Sequence, residues 1–130
     1  MSYDLLIKGG TVVDPSQELN VVRDVALSDG KVAAIEESIA ESYAREVVDA
    51  TGLVVTPGLI DLHVHAFWGA SAYGMEPDIG NIAKGVTTAL DTGSAGATNF
   101  PAFRRYVLER ADTRLFALLN ISAMGMIWPR

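Results

Sequence analysis

The sequence contains no cysteine, and this absence excludes disulfide bonds, thiolate nucleophiles and cysteine-ligated zinc sites. Basic residues are also few: 10 lysines and arginines stand against 16 aspartates and glutamates, and the net charge is −6. Nucleic acids and anionic membranes attract clustered positive charge, so neither is expected as a partner. The chain also lacks a signal-peptide pattern and an apolar run of the roughly 18 residues that a membrane span needs. We therefore expect a soluble, cytoplasmic protein.

The composition that remains is that of a folded chain. Hydrophobic residues make up 49% of the 130 residues, which is typical of globular rather than disordered proteins. The charge is unevenly distributed, because residues 1–65 carry a balance of −7 and residues 66–130 a balance of +1. This change of composition indicates two architectural parts.

The first part, residues 1–56, is punctuated by glycine, aspartate and proline at short intervals. Asp29-Gly30 between two apolar runs predicts a β-hairpin over residues 21–36. Gly9-Gly10 is expected to end the first strand, and residues 37–45 are expected to form a loop. We predict a small structure of five or six antiparallel strands.

The second part, residues 57–130, has a different rhythm. Three β-rich apolar segments begin near residues 58, 86 and 115, and helices are predicted to start near Pro77 and Asn99. Strands and helices that alternate at a steady spacing indicate a parallel βα arrangement. A complete (β/α)8 barrel needs about 250 residues, so we expect residues 57–130 to hold the first three strands and two helices of a longer α/β enzyme.

The polar residues of the first of these strands carry the chemistry. Asp61, His63 and His65 alternate with the apolar Ile60, Leu62 and Val64, so the two sets are expected on opposite faces of the strand. Two imidazoles at positions i and i+2 can converge on one metal ion. These are the only two histidines in the sequence.

Residues 57–65, PGLIDLHVH, resemble the first barrel strand of the amidohydrolase superfamily. The turns of residues 1–56 resemble the small β-sandwich of that family, and Gly85-Val86-Thr87-Thr88 resembles its second strand. The segment from residue 91 to 96, DTGSAG, extends the likeness to the dihydroorotase-like and deacetylase-like branch. The resemblance covers essentially the whole chain.

The resemblance implies a metal-dependent hydrolase that cleaves an amide, cyclic amide or ester of a small molecule. His63 and His65 would bind the more buried of one or two divalent ions, with zinc the expected metal. The other ligands and the catalytic base would lie beyond Arg130, so no catalytic residue is expected in these 130 residues. We therefore expect this portion to be inactive alone and the complete enzyme to be a homo-oligomer.

Further candidates each have an ordinary structural alternative. Asp61 would orient a metal-binding histidine or steady the rim of the barrel, or it would cap local backbone. Asp91, at the end of the second strand, would touch the substrate or orient a ligand, or would cap the following loop. Lys84 falls before the second strand and is expected to be a solvated lysine rather than a metal-bridging carbamate.

Aromatic side chains follow the strand that contains His63 and His65, and another follows the third strand. They line the pocket mouth in one interpretation and pack the loops in the other; they are Phe67, Trp68, Tyr73 and Trp128.

Two other functions are considered. One is an amidohydrolase-fold scaffold or binding protein that has lost its metal. The other is a self-contained β-rich binding module, which the incomplete βα pattern disfavours.

Overall fold

The computed structural model describes residues 2–127. The chain divides into two compact units, Met1–Pro57 and Gly58–Arg130, and each is considered by itself. No helix in the described range is long and apolar enough to cross a membrane.

The first unit is a five-stranded sheet. Its strands lie in the order β3-β2-β1-β4, and β5 pairs with the far part of β1. The bounds are β1 Tyr3–Asp14, β2 Leu19–Ser28, β3 Lys31–Glu36, β4 Ala44–Asp49 and β5 Val54–Val55. The predicted hairpin is confirmed: β2 and β3 are antiparallel, and Asp29 and Gly30 both have positive φ angles, as a tight primed turn requires.

The expectation of a wholly antiparallel first unit is wrong. β1 pairs antiparallel with β2 but parallel with β4 and β5. The chain recrosses the sheet through residues 37–43, so β4 runs in the direction of β1. This crossover buries Ile39 against Leu6 and Ala26, and the burial of these apolar side chains favours the mixed sheet.

Gly9-Gly10 also does not end the first strand. The β1–β2 register shifts between Ile7 and Gly10, Gly9 has a φ of +69°, and β1 continues past this bulge to Asp14. Glycine permits the left-handed backbone that such a bulge needs.

Buried Asp24 fastens this bulge to the crossover. Its carboxylate accepts hydrogen bonds from the backbone N–H groups of Gly9 and Ile39, both at 2.9 Å, and from the Lys8 ammonium at 3.1 Å. Burial raises the pKa of Asp24, but these three donors outweigh burial and hold the pKa below its ordinary value. Asp24 is therefore a charged tie between two parts of the first unit.

The second unit contains three parallel strands in the order β6-β7-β8, which confirms the predicted parallel pairing. The strands are β6 Leu59–Val64, β7 Val86–Thr92 and β8 Arg114–Leu118. Between β6 and β7 lie helix α1, Pro77–Gly80, and a 3₁₀ turn, Ile82–Lys84. Helix α2, Phe100–Phe103, continues as a π-helix over Arg104–Leu108 before β8. Both α-helices are short, so the helix predicted to start near Asn99 is not a single regular α-helix.

Phe103 is the centre of the core of this unit. It is fully buried in one cluster with Val64, Phe67 and Ala89, and the partly buried Phe100 and Val107 pack against this cluster. The core thus joins the end of β6, the middle of β7 and α2, and it fixes the carboxyl end of β6 in place.

Candidate metal centre

His63 and His65 lie at the carboxyl end of β6 and come together. Their ring centroids are 5.5 Å apart with an interplanar angle of 84°. Side chains two residues apart on a strand share a face, so the sequence pattern correctly predicted this approach. His63 is exposed and His65 is partly exposed.

The apolar face of β6 is mostly exposed. Only Val64 is buried, whereas Ile60 and Leu62 are 65% and 70% exposed. β6 is an edge strand of this sheet, and its register with β7 shifts between Asp61 and Val64. Val64 alone therefore reaches the core around Phe103.

His65 is held at two points. Its ring Nδ1 lies 3.1 Å from the hydroxyl oxygen of Ser94, and its backbone carbonyl accepts the N–H of Met75 at 2.9 Å. Within the described chain, no hydrogen bond involves the ring Nε2. Of the two ring nitrogens of His65, Nδ1 is therefore in a hydrogen bond and Nε2 is not.

Asp91 is fully buried at the end of β7. One carboxylate oxygen accepts the N–H of Ala66 at 2.7 Å, and the other accepts those of Gly93 at 3.0 Å and Ser94 at 2.7 Å. The loop-capping role proposed for Asp91 is what these contacts show. They also join the residue after His65 to the loop that contains Ser94.

Of its two alternatives, Asp61 has the capping of local backbone. Its carboxylate accepts the backbone N–H of His63 at 2.9 Å. Among the described residues it forms no hydrogen bond with either imidazole. Asp61 therefore shapes the backbone at the first histidine rather than contacting a ring.

Ser94 is the site residue that sequence reasoning missed. The available signal was the spacing Asp91-x-Gly93-Ser94, because an aspartate that caps the N–H groups two and three residues later fixes the position of the third residue. The pairing of that residue with His65 could not be read from spacing.

The aromatic candidates that the structure describes differ in exposure. Phe67 is 7% exposed, and its ring centroid lies 4.8 Å from that of Phe103, so it packs in the core, which favours the packing alternative over the pocket mouth. Tyr73 is exposed, with its ring centroid 6.4 Å from that of His65. Trp68 is also exposed, and Trp128 lies outside the described residues.

The donors present fit part of a zinc site. Imidazole is a favoured zinc ligand, and a catalytic zinc normally has three protein ligands and an open position. Between residues 2 and 127, no group of three or more histidine, aspartate or glutamate side chains is placed to hold a metal ion. His63 and His65 could supply two of these ligands, and a complete zinc site would need others from outside the described residues. Lys84 is exposed at the end of the 3₁₀ turn before β7.

Comparison with curated proteins gives two informative relatives. A deacetylase of Agrobacterium fabrum is 37% identical over 99 residues, which cover 76% of this chain and 24% of the deacetylase. A dihydroorotase of Citrifermentans bemidjiense is 35% identical over 133 residues, which cover 95% of this chain and 30% of the dihydroorotase. The chain therefore spans less than a third of the length of these relatives.

Solved structures share the fold. An adenine deaminase superposes with a TM-score of 0.77 at 36% identity, over 98% of this chain and 33% of its own. A D-aminoacylase studied for its binuclear metal centre superposes with a TM-score of 0.51 at 29% identity, over 68% of this chain and 18% of its own. A model of the amidohydrolase family matches residues 46–114. As the motif over residues 57–65 predicted, this chain belongs to the amidohydrolase family.

Proposed function

We propose that the intact protein is a metal-dependent hydrolase of an amide, cyclic amide or ester, and that His63 and His65 bind its metal. The observation that carries the proposal is the approach of the two imidazoles at the carboxyl end of a parallel strand. In parallel βα enzymes this end of the strands is where active sites are built. Membership of the amidohydrolase family supports the same chemistry.

The architecture forms part of the proposal. Residues 57–130 would contribute the first three strands of a (β/α)8 barrel, and residues 1–56 would contribute part of a composite β-sandwich. The parallel order β6-β7-β8 supports the barrel, as does the fraction of each relative that the chain covers. The remaining metal ligands and the general base would then lie on later strands.

Each described residue of the site has a specific task in this proposal. A bound divalent ion would lower the pKa of its water toward neutrality and polarise the substrate carbonyl. His63 and His65 would hold the ion through unprotonated ring nitrogens. Asp91 would fix the backbone after His65, and exposed Tyr73 would lie at the side of the pocket where the substrate enters.

The metal is a divalent ion, with zinc preferred, at one or two ions per chain. Neutral imidazole, the group that His63 and His65 would supply, suits zinc. The binuclear centre of D-aminoacylase supports a second ion. Zinc would therefore be the metal to supply first in an assay.

The substrate would be a small molecule with an acyl or ring carbon–nitrogen bond. The names of the relatives, a deacetylase, a dihydroorotase and an adenine deaminase, support this class. The homo-oligomeric, cytoplasmic enzyme expected from the sequence is compatible with it. Residues 1–130 alone would not turn over substrate, because two imidazoles leave a catalytic zinc one ligand short.

The test combines metal analysis with hydrolysis by the intact protein. We expect one to two ions per chain and zinc-dependent hydrolysis of members of a panel of acyl amides, cyclic amides and esters. His63→Ala should lose the inner ion and turnover, whereas Lys84→Ala should retain both. A wild-type protein that folds, stays metal-free after zinc loading and hydrolyses nothing would instead support the scaffold function.

A further inference from the structure

We propose that Ser94 is a positioning residue that holds His65 with its ring Nε2 directed to the metal. The inference rests on the proposed function, and it adds a contact between Ser94 and His65 that the spacing of the sequence does not show. Its central observation is the 3.1 Å contact between the Ser94 hydroxyl oxygen and His65 Nδ1. Ser94 has no exposed surface, so this hydroxyl is committed to the interior.

Hydrogen bonds hold the backbone of Ser94 on both sides. The N–H of Ser94 donates to Asp91 at 2.7 Å, and its carbonyl accepts the N–H of Met126 at 3.0 Å. Gly93, with a φ of +99°, makes the turn, and its carbonyl accepts the side-chain amide of Asn120 at 2.8 Å. Because this backbone is held in place, the Ser94 side chain is a rigid partner for a ligating histidine.

The same carboxylate also holds the strand that contains His65. Asp91 accepts the N–H of Ala66, the residue after the histidine. The Asp91 carboxylate therefore anchors both the backbone next to His65 and the loop whose Ser94 hydroxyl contacts the His65 ring. This arrangement leaves the ring little freedom to turn away from the orientation that Ser94 sets.

The proposal assigns His65 the tautomer in which Nδ1–H donates to the hydroxyl oxygen of Ser94. In a neutral imidazole one nitrogen carries the proton and the other has a free lone pair. When Nδ1–H donates to Ser94, Nε2 is unprotonated and available to a metal, as metal-binding histidines generally require. His63 has no such ring partner among the described residues, so the two histidines are not equivalent and Ser94 acts on His65 alone.

Ser94→Ala in the intact protein tests the inference by metal affinity, measured in competition with a chelator. Loss of a hydrogen bond to a ligating histidine typically costs about 10–100-fold in affinity, and we expect a loss in this range. Ser71→Ala is the matched control, because the Ser71 hydroxyl is also buried but has no hydrogen-bond partner in the described chain. It should bind zinc as the wild type does, and both variants should keep their thermal unfolding temperature within a few degrees.

The ring tautomer gives a second readout that a purely structural role would not change. In metal-free protein labelled with ¹⁵N-histidine, NMR at alkaline pH should show His65 protonated at Nδ1, and Ser94→Ala should shift it toward Nε2. A wild-type ring protonated at Nε2, or a Ser94→Ala protein that binds zinc as tightly as the wild type, would overturn the inference. A wild type that binds no zinc would overturn the proposed function first, and the inference with it.

Discussion

Asp91 offers the most demanding test of how the second unit is held together. Its carboxylate accepts three backbone N–H groups at 2.7–3.0 Å and has no exposed surface. Asp91→Ala would leave those three donors buried without a partner. Asp91→Asn would keep one oxygen for Gly93 and Ser94 but would direct an amide N–H₂ at the N–H of Ala66.

The expected cost follows from these contacts. A buried donor left unpaired costs about 1–3 kcal/mol, and hydrogen bonds to a charged group are at the stronger end. Three such groups that share one acceptor are not fully additive, so Asp91→Ala should lower the free energy of unfolding by about 3–6 kcal/mol. Asp91→Asn places one donor against another and weakens two further hydrogen bonds, so it should lower the free energy of unfolding by about 2–4 kcal/mol.

Urea unfolding of the intact protein measures both values. Asp61→Asn is the matched control, because Asp61 accepts one N–H and is not fully buried, and we expect a change below about 1 kcal/mol. Metal content should fall in both Asp91 variants, since the backbone after His65 loses its anchor. An Asp91→Ala protein destabilised by less than about 1 kcal/mol would refute this account.

Three further outcomes are expected of the intact protein. Phe67→Ala should lower the free energy of unfolding by about 3–5 kcal/mol in urea, whereas exposed Trp68→Ala should change it by less than about 1 kcal/mol; equal losses would return Phe67 to the pocket. The depressed pKa of Asp24 adds stability above the ordinary aspartate pKa of about 3.9. That contribution should decline as pH falls below about 4 and be lost as pH falls through the lowered pKa, and Asp24→Asn should flatten the pH profile of urea midpoints. His65→Ala should abolish zinc-dependent turnover while its circular dichroism spectrum stays unchanged.

Local patterns were sufficient for much of the fold. The Asp29-Gly30 turn needs only two residues with positive φ between apolar runs, and it forms as predicted. The three parallel strands follow from apolar segments at a regular spacing. The approach of His63 and His65 follows from the two-residue period of a strand, which holds wherever the strand packs.

Other features depended on partners far along the chain. Gly9-Gly10 is a turn signal by itself, yet β1 continues because Asp24 accepts the N–H of Gly9 and the bulge stays within the sheet. The parallel alignment of β4 depends on the crossover that buries Ile39. Phe67 is in the core because Phe103, 36 residues later, lies against it.

The family, the two histidines and the strand that presents them could be read from contiguous residues. Tertiary structure decided which groups support them. Asp91 reaches Ala66 across 25 residues and Ser94 reaches His65 across 29. Hydrogen bonds act over about 3 Å, so such pairs exist only once parallel pairing of β6 with β7 brings the ends of the two strands side by side.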